Sequence, residues 1–496
     1  MWIMHCIIGI DIGTGSIKAV AVNECGEAFH NIQKPFPTIH TLEGYSEQDP
    51  EIICQALIIC IKELLSSLNA DRITIVFSSA MHSLLAVDNN GASLTPLIIW
   101  ADTRSAFIAE HLKNSSEGEE FYRSTGTPIH AMSPLCKIKW LKENSPDIFV
   151  QTHKFISIKE FVWWKLFGVY EIDYSIASAT GLFAIAHLAW YKKALRWAGI
   201  MESQLSQPVS TTYARKDIVP HTAALLNLPA DTTFVTGASD GCLANIGSFA
   251  TQPGVAAITI GSSGAVRVCS KVPILHFPSM PFSYRLNEDN YICGGPINNG
   301  GIIIDWLLKN FLEIDAPHAA DYDSLFEKIK AIKPGSEGLV FLPYITGERA
   351  PVWDAKSCGT FFGLRRHHTA THMIRSAVEG ICFAIYDTLQ MLEQRTSPIQ
   401  QLQVSGGFTE TKTWLHMIAD VTGKKLNLVQ TDDASAMGAA YLALQTLGIK
   451  YAIPQMPISI EPRMDHHHIY QQNFSIYKSL YPSLREAMYK LYNINH

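Results

Sequence analysis

A short run of small and polar residues near the N-terminus has the composition of a phosphate-binding loop. The run DIGTGSIK covers Asp11–Lys18 and follows the apolar stretch Cys6–Ile10. Without bulky side chains, its backbone N–H groups can face phosphate oxygens, while hydroxyls and an amine add donors and charge. The candidate phosphate ligands are Gly13, Thr14, Gly15, Ser16 and Lys18. An ordinary hairpin turn has the same composition, so the run alone leaves both interpretations open.

The aspartate that opens this run, Asp11, is predicted to contact a metal ion through water. A carboxylate at the end of a buried strand is costly unless it is paired or hydrated around a cation, and Mg²⁺ would serve. The sequence contains neither GxxxxGK[ST] nor GxGxxG, which disfavours the P-loop and Rossmann classes of nucleotide site.

Alternating strands and helices are predicted around these loops. β-Branched and apolar runs predict strands at Cys6–Ile10, Ile17–Val22, Ile73–Phe77, Val255–Ile260, Ala265–Cys269 and Leu402–Ser405. Apolar residues at helical spacing predict helices over Asp49–Leu68 and from Thr371 onward. The segment Asp432–Ala440 predicts the start of a helix of small residues, for which close packing against another part of the protein is the common reason. The alternation indicates an α/β protein.

Length and composition favour several domains and a small-molecule substrate. The 496 residues exceed what one hydrophobic core supports, so two or more domains with a cleft between them are expected. The net charge of −6 argues against nucleic acid or an anionic membrane as a partner. No apolar run approaches a bilayer span and no basic signal segment opens the chain, so a cytoplasmic location is expected. The ten cysteines form no CxxC pair, which favours reduced packing residues over disulfides or zinc.

Longer segments show a family pattern. MSPLCKIKWLKEN at 132–144 and GTFFGL at 359–364 occur together with ITIGSSGA at 258–265 and SGG at 405–407. In this combination the chain resembles the FGGY family of carbohydrate kinases, from residue 11 to about residue 440. The resemblance implies an α/β fold of two actin-like, ribonuclease-H-like ATPase domains, each a mixed β-sheet flanked by helices. It implies a sugar-binding domain at 1–247, a nucleotide-binding domain at 248–450 and a tail at 451–496 that docks on the body.

The same resemblance implies a sugar kinase that uses ATP and Mg²⁺, with Asp240 as general base. Asp240 stands in the segment GASDGC at 237–242, which is similar to the family's catalytic segment. Such a carboxylate would accept the proton of the attacking hydroxyl. An aspartate beside glycine is also common in plain turns, and it is the family pattern that favours catalysis here.

Substrate and nucleotide contacts are also implied by the family pattern. Predicted substrate-binding residues are Met81, His82, Trp100, Asp102, Arg104, Asn298 and Arg349. Predicted nucleotide contacts, besides the N-terminal loop, are Gly261, Ser262, Ser263, Gly301, Gly407 and Thr411. Core packing for His82 and Trp100, and a turn for the glycine pair, are the alternatives.

The segments GERAPVW at 347–353 and PINNGG at 296–301 most resemble the gluconate kinase branch, with xylulose kinases second. The expected reaction is phosphorylation of D-gluconate to 6-phosphogluconate. Arg104 or Arg349 would suit a substrate carboxylate, although Arg349 could instead pair with Glu348. A catalytically inactive sugar sensor and an actin-like chaperone or filament protein are the alternatives from other classes, and a homodimer is left open. The groups His367–His368 and His466–His468 are expected to be surface residues rather than a metal site.

Overall fold

The computed structural model describes residues 5–68, 70–229, 231–429, 431, 433–451 and 458–495. The strands are β1 His5–Ile12, β2 Ser16–Val22, β3 Ala28–Pro35, β4 Glu47–Gln48, β5 Arg72–Ser79, β6 Leu85–Val87, β7 Leu97–Ile98, β8 Lys154–Ile156, β9 Glu171–Asp173, β10 Phe183–Ala184, β11 Ala189–Trp190, β12 Gln207–Val209, β13 Ala214–Arg215, β14 Thr233–Ser239, β15 Val255–Ile260, β16 Gly264–Ser270, β17 Phe282–Arg285, β18 Tyr291–Ile297, β19 Val340–Leu342, β20 Thr360–Phe362, β21 Gln401–Ser405, β22 Lys425–Leu428 and β23 Ser459–Ile460.

The α-helices are α1 Pro50–Ser66, α2 Ala106–Asn114, α3 Gly118–Thr125, α4 Pro134–Asn144, α5 Pro146–Gln151, α6 Ile158–Phe167, α7 Tyr174–Ser178, α8 Lys192–Ala198, α9 Pro220–Leu226, α10 Asp240–Gly247, α11 Ile302–Leu312, α12 Ala319–Ile329, α13 Ala370–Glu393, α14 Lys412–Thr422, α15 Ala434–Thr446 and α16 Met464–Asn495. Short 3₁₀ helices occur at Glu202–Gln204, Ser336–Gly338 and Gly407–Glu410. Each strand and helix predicted from the sequence is present within a few residues of its expected limits. In the described part of the chain no helix is long and apolar enough to span a bilayer.

The described residues form two compact units that are discontinuous along the chain. The first takes residues within Met1–Phe249, Ser270–Ile292 and Thr431–Pro454. The second takes residues within Ala250–Cys269, Cys293–Gln430 and Gln455–His496. Each unit is built around its own mixed β-sheet flanked by helices.

The first unit's six-stranded sheet brings polar residues together at one end of its central strands. Its strand order is β13-β14-β5-β1-β2-β3, with β5 parallel to both β1 and β14 and with β2 antiparallel to β1. The register sets Asp11 of β1 beside Lys18 on β2 and Ser78 on β5. Helix α1 begins at the side-chain cap of Asp49 and packs on β2 and β3.

Helix α15 packs with almost no intervening side chains against β1 and α10 of the same unit. A Cβ added at Gly9 would lie 2.0 Å from the Ala436 carbonyl oxygen, and one at Gly438 would lie 1.9 Å from that of Leu243. A Cβ at Gly247 would lie 1.9 Å from the Ala434 oxygen. The small residues of α15 are therefore explained by contact between backbones, which is the packing alternative that the sequence left open.

The second unit's sheet runs β18-β16-β15-β21-β22-β23, with β15, β21 and β22 mutually parallel and β16 antiparallel to β15. Helix α13 is buried along most of its length, and α16 packs on α13 and α14 through the buried rings of Tyr470 and Tyr477. Near the start of α16, the fully buried Asp420 accepts from Arg463 and lies 3.1 Å from Nδ1 of His466, so part of the histidine group anchors this helix.

Candidate active site

Asp11 lies in a group of charged side chains at the end of β1. Its Oδ1 accepts a 2.6 Å hydrogen bond from the Ser78 hydroxyl, and Lys18 forms a 2.9 Å ion pair with Asp433. Burial raises the pKa of Asp11 well above its ordinary value, and the negative charges of Asp433 and Asp240 raise it further. The carboxylates of Asp433 and Asp240 thus both act on Asp11, and Lys18 is the lysine paired within this group. Binding of a further cation would offset the remaining negative charge.

The donor set fits a hydrated magnesium ion rather than a bare one. Among the described residues no three His, Cys, Asp or Glu side chains lie close enough together to hold a metal ion directly. Mg²⁺ keeps several of its waters and is often bound through one or two carboxylates plus phosphate oxygens. Asp11, already bonded to Ser78, could hold the water of such an ion.

The loop after β1 is a tight hairpin that leaves two N–H groups open. The Gly13 N–H donates to the Ser16 carbonyl at 3.0 Å, so this amide is committed to the turn rather than to a ligand. The amides of Thr14 and Gly15 make no hydrogen bond within the described residues, and a Cβ at Gly15 would meet open space. The hydroxyl of Ser16 accepts from Gln33 and keeps its own proton for another acceptor.

Asp240 is the first residue of α10 and is half-buried. Its Oδ1 accepts a 2.7 Å hydrogen bond from the Gly241 N–H, and the preceding Ser239 pairs with Ser79 of β5, which pairs with Ile12 at the end of β1. An irregularity in β14 precedes it, where Gly237 has a φ of +66° and a Cβ would lie 1.9 Å from the Phe77 oxygen. Only glycine fits that conformation and that approach, so the GASDG segment is structural as well as chemical.

A buried network that the sequence did not reveal supports the turn before Asp240. Lys159 Nζ donates to Asp173 at 2.7 Å and to the Ala238 carbonyl at 3.1 Å. Ser175, which follows Asp173, accepts from the Ser239 N–H at 3.0 Å. Both charged groups of the pair are almost wholly enclosed, so the pair fixes the backbone immediately before Asp240.

His82 is held from both ring nitrogens. Nδ1 lies 2.7 Å from the Ala179 carbonyl and Nε2 lies 3.2 Å from the Tyr284 hydroxyl. A neutral imidazole that donates from Nδ1 and accepts at Nε2 satisfies both contacts. The side chain is buried at a backbone φ of +66°, and its neighbour Met81 is half-buried. His82 therefore has a structural role, because both of its ring nitrogens are engaged, and it remains a candidate substrate contact.

Asp102 and Arg104 form a closed ion-pair cluster with Glu47. Arg104 Nε and one Nη bind Asp102, and the same Nη lies 2.5 Å from Glu47. The guanidinium stacks 3.7 Å from the ring centroid of Tyr45, and Asp102 also accepts from the Ser46 N–H. The expected free fork for a substrate carboxylate is absent at Arg104, because two of its three nitrogens are already bound.

Lys137 joins the two segments predicted to bind substrate. Its fully buried Nζ donates to the carbonyls of His82 at 2.6 Å, Ile99 at 2.8 Å and Ile98 at 3.3 Å. Trp100, which follows Ile99 in the chain, donates from Nε1 to the Thr14 hydroxyl at 3.0 Å. The loop after β1 and the predicted substrate segment therefore share a contact. Lys137 belongs to the MSPLCKIKWLKEN segment, which was the only signal of its role.

Because the side chain of Lys137 is buried, we expect the free energy of unfolding to change with pH in the alkaline range. Burial lowers the pKa of Lys137 from the ordinary lysine value of 10.5 to about 7. Between these values the unfolded chain holds a proton that the folded chain lacks, so raising the pH favours the folded state by about 1.4 kcal/mol per unit. In urea titrations at several pH values from 7.5 to 9.5, the stability of wild type relative to Lys137→Met should rise by about that slope. A difference that stays flat or falls would contradict the prediction.

In the second unit, the loop between β15 and β16 packs against the start of α11. The Gly300 and Gly301 N–H groups donate to Ser262 and Gly261 carbonyls at 3.0 and 2.7 Å. A Cβ at Gly301 would lie 2.9 Å from the Gly261 oxygen, so protein packing alone requires glycine there. Gly261 and Ser262 are exposed and Ser263 is half-exposed, which leaves the loop accessible to a ligand.

A second accessible glycine lies at the end of β21, the neighbour of β15. Gly406 has a φ of +105° and a Cβ there would lie 2.4 Å from the Ile260 oxygen. A Cβ at Gly407 would meet nothing within 4 Å, so no protein contact demands glycine at this position. Thr411 follows the short 3₁₀ helix and precedes α14 without a side-chain cap bond. Open space over Gly407 suits a flat ligand lying on the backbone.

Asn298 and Arg349 are joined through Glu348 in the same unit. The Glu348 carboxylate accepts from the N–H groups of Asn298 and Arg349 at 2.6 and 2.8 Å and from Asn299 Nδ2 at 3.1 Å. One Arg349 Nη donates to the Ile297 carbonyl at 3.0 Å. Burial raises the pKa of Glu348 to about 7, although these hydrogen bonds act to lower it. Glu348 thus fixes both predicted substrate residues at one place.

Comparison with known proteins identifies the class to which this fold and site belong. The N-terminal domain model of the FGGY family of carbohydrate kinases matches residues 6–247, and the C-terminal domain model matches residues 256–447. The chain belongs to the FGGY family of carbohydrate kinases. It is an ATP-dependent phosphotransferase with the two-domain α/β fold of that family.

Individual relatives narrow the comparison. A gluconokinase of Bacillus subtilis is 39% identical over 449 residues, which cover 89% of this chain and 88% of the relative. The crystal structure of gluconate kinase from Lactobacillus acidophilus has a TM-score of 0.94 at 31% identity, covering 98% of this chain and 100% of that one. A ligand-bound xylulose kinase from the same species has a TM-score of 0.93, also at 31% identity, with the same coverage.

Proposed function

We propose that the protein phosphorylates a primary hydroxyl of D-gluconate, giving 6-phosphogluconate, with Asp240 as general base. The observation that carries the assignment of the base is the register of the central strands: Ser239, the residue before Asp240, pairs with Ser79, and Ser79 pairs with Ile12, the residue after Asp11. A half-buried carboxylate at that end of the sheet lies close to the residues best suited to Mg²⁺ and phosphate, where an attacking hydroxyl would have to lose its proton.

Separate residues of the first unit are assigned to binding the phosphates of ATP, to supplying positive charge and to accepting the hydroxyl proton. The open amides of Thr14 and Gly15 and the hydroxyl of Ser16 donate to phosphate oxygens, and Lys18 supplies positive charge while held by Asp433. Asp11 would hold Mg²⁺ through one of the ion's waters, and the ion would supply positive charge that offsets the charge developing on transfer. Asp240 then accepts the hydroxyl proton.

In the second unit, other residues are assigned to the nucleotide and to the substrate. Gly261, Ser262 and Ser263 present an exposed loop for phosphate, while Gly301, Gly407 and Thr411 are assigned to the adenosine. Asn298 and Arg349, fixed by Glu348, are assigned to the substrate. Arg349 replaces Arg104 as the preferred partner for a substrate carboxylate, because Arg104 is engaged by Asp102 and Glu47.

Gluconate is preferred to xylulose because the 39% identical relative is a gluconokinase and its match extends over 89% of this chain. Xylulose kinase activity is the second candidate, favoured by a structural neighbour of that name with a TM-score of 0.93. A cytoplasmic setting and a homodimer stay predictions, which fractionation and light scattering would check.

The test is a coupled ADP-release assay over gluconate, xylulose, ribulose, fuculose, rhamnulose and glycerol. We expect the highest kcat/KM for gluconate, with the product identified as 6-phosphogluconate by mass. A higher kcat/KM for xylulose would move the chain to the second candidate. Tight gluconate binding by calorimetry without ADP release would instead indicate a sugar sensor.

A further inference from the structure

The second unit contains a cavity that none of the predicted nucleotide residues lines. Its volume is about 460 Å³, within the range of pockets that hold small metabolites. It lies where the end of α12, the first turns of α13 and α14 and the start of α16 meet. The titratable lining residues are all basic: Lys330, Arg375, Lys412, His416, Arg463 and His466.

The carboxylates that balance some of these charges lie behind the lining rather than in it. Asp420 and Glu379 are 0% and 1% exposed, and they hold Arg463 and Arg375 from the protein interior. Lys330 pairs with Glu327 on its own helix. The two arginines of the lining are therefore balanced from the protein interior, while every titratable side chain that faces the cavity is basic.

Lys412 carries an uncompensated charge of this lining, and His416 contributes a buried ring nitrogen without a partner in the described residues. Lys412 is exposed and makes no ion pair or hydrogen bond within the described ranges. The pKa of His416 is lowered by burial and by the charges of Arg463 and Lys412. Its Nδ1 is enclosed and has no hydrogen-bond partner in the described part of the chain. A bound anion would offset the repulsion among these three groups.

The lining also contains apolar carbon. Ile332, Pro334 and Met417 contribute to it, and the Thr413 hydroxyl adds a neutral donor. Bare phosphate would use the cations and leave this surface uncovered. A phosphate group attached to a small carbon skeleton would use both.

We propose that this cavity binds a small phosphate monoester, at a site separate from the one that carries out phosphoryl transfer. Lys330, Lys412 and the outward edge of Arg463 contact the phosphate, and Ile332, Pro334 and Met417 contact the carbon skeleton. Gly261, Ser262, Ser263, Gly301, Gly407 and Thr411 take no part in the lining, although Thr411 directly precedes Lys412 in the chain, so the test must keep the nucleotide site occupied.

The test is calorimetric titration of the full chain with 6-phosphogluconate and with inorganic phosphate. A non-hydrolysable ATP analogue, Mg²⁺ and gluconate are kept saturating so that the catalytic site is occupied. We expect 6-phosphogluconate to bind, and Lys330→Gln/Lys412→Gln to weaken it by about ten-fold or more. The matched control, Lys309→Gln/Lys328→Gln, removes two exposed lysines of the same unit and should leave the affinity unchanged.

A site-specific readout comes from the imidazole signals of His416 in histidine-labelled protein, assigned with His416→Gln. Binding of the anion should raise the titration midpoint of this imidazole, because a nearby negative charge favours its protonated form. Three results would overturn the proposal: no binding under these conditions, equal loss in the control pair, or an unmoved His416 signal. Inorganic phosphate that binds as tightly as the ester would overturn the assigned role of the apolar lining.

Discussion

Asp240→Asn is expected to lower kcat by about 10²–10⁴-fold while KM for ATP and for the sugar changes little. The carboxamide has nearly the same shape and can still accept the 2.7 Å hydrogen bond from the Gly241 N–H, so local structure is preserved. It cannot take up the hydroxyl proton at neutral pH. Steady-state kinetics with gluconate, followed by circular dichroism of the variant, would measure both effects.

Asp323→Asn is the matched control for this substitution, because Asp323 is an exposed aspartate on α12. Its kinetics should equal those of wild type. Full turnover by Asp240→Asn would remove Asp240 from the mechanism. A collapse of folding in Asp240→Asn alone would instead show that the residue is needed for structure.

Lys159→Met is expected to lower the free energy of unfolding by about 3–5 kcal/mol. The substitution leaves Asp173 charged, enclosed and without its 2.7 Å partner, and it removes the bond to the Ala238 carbonyl. Because Ala238 lies two residues before Asp240, we also expect kcat to fall in the fraction that remains folded. Urea unfolding and steady-state kinetics on the same preparation would report the two effects separately.

Lys165→Met, on the same helix α6, is the control for this prediction. Lys165 pairs with Glu51 at 2.7 Å, but the two side chains are 38% and 49% exposed. Solvent screens such a pair, so its loss should cost no more than about 1 kcal/mol. Equal losses of unfolding free energy in the two variants would show that the buried Lys159–Asp173 pair stabilises the protein no more than the exposed Lys165–Glu51 pair.

The parts of the site that sequence predicted best are those formed by residues close together in the chain. The Asp11–Lys18 run is a strand end, a turn and a strand start, so its geometry follows from local rules, and the structure has it as β1, a hairpin and β2. Even there, the commitment of the Gly13 amide to Ser16 could not be foreseen, because glycine composition does not specify which N–H points outward.

The parts that sequence missed depend on contacts between distant segments. Lys159 donates to Ala238, 79 residues away, and Lys137 donates to His82, 55 residues away. Nothing near Lys159 in the chain distinguishes it from exposed lysines, and for Lys137 the MSPLCKIKWLKEN segment was the only signal. Arg104 was predicted as a possible partner of a substrate carboxylate, but Glu47, 57 residues away in the chain, already binds its guanidinium. Periodicity predicts which face of an element is buried, but it does not identify the partner of a buried charge.

Helix α15 also bears on the order in which the chain can be assembled at the ribosome. Residues 434–446 cover Gly9 of β1 and the backbone of α10, yet they are translated almost 200 positions after α10 ends. Until they emerge, Gly9 of β1 and the backbone of α10 lack the helix that packs against them. A fragment that stops at Phe249 would retain most of that unit but would lack α15, so the surfaces of β1 and α10 that α15 contacts would stay exposed.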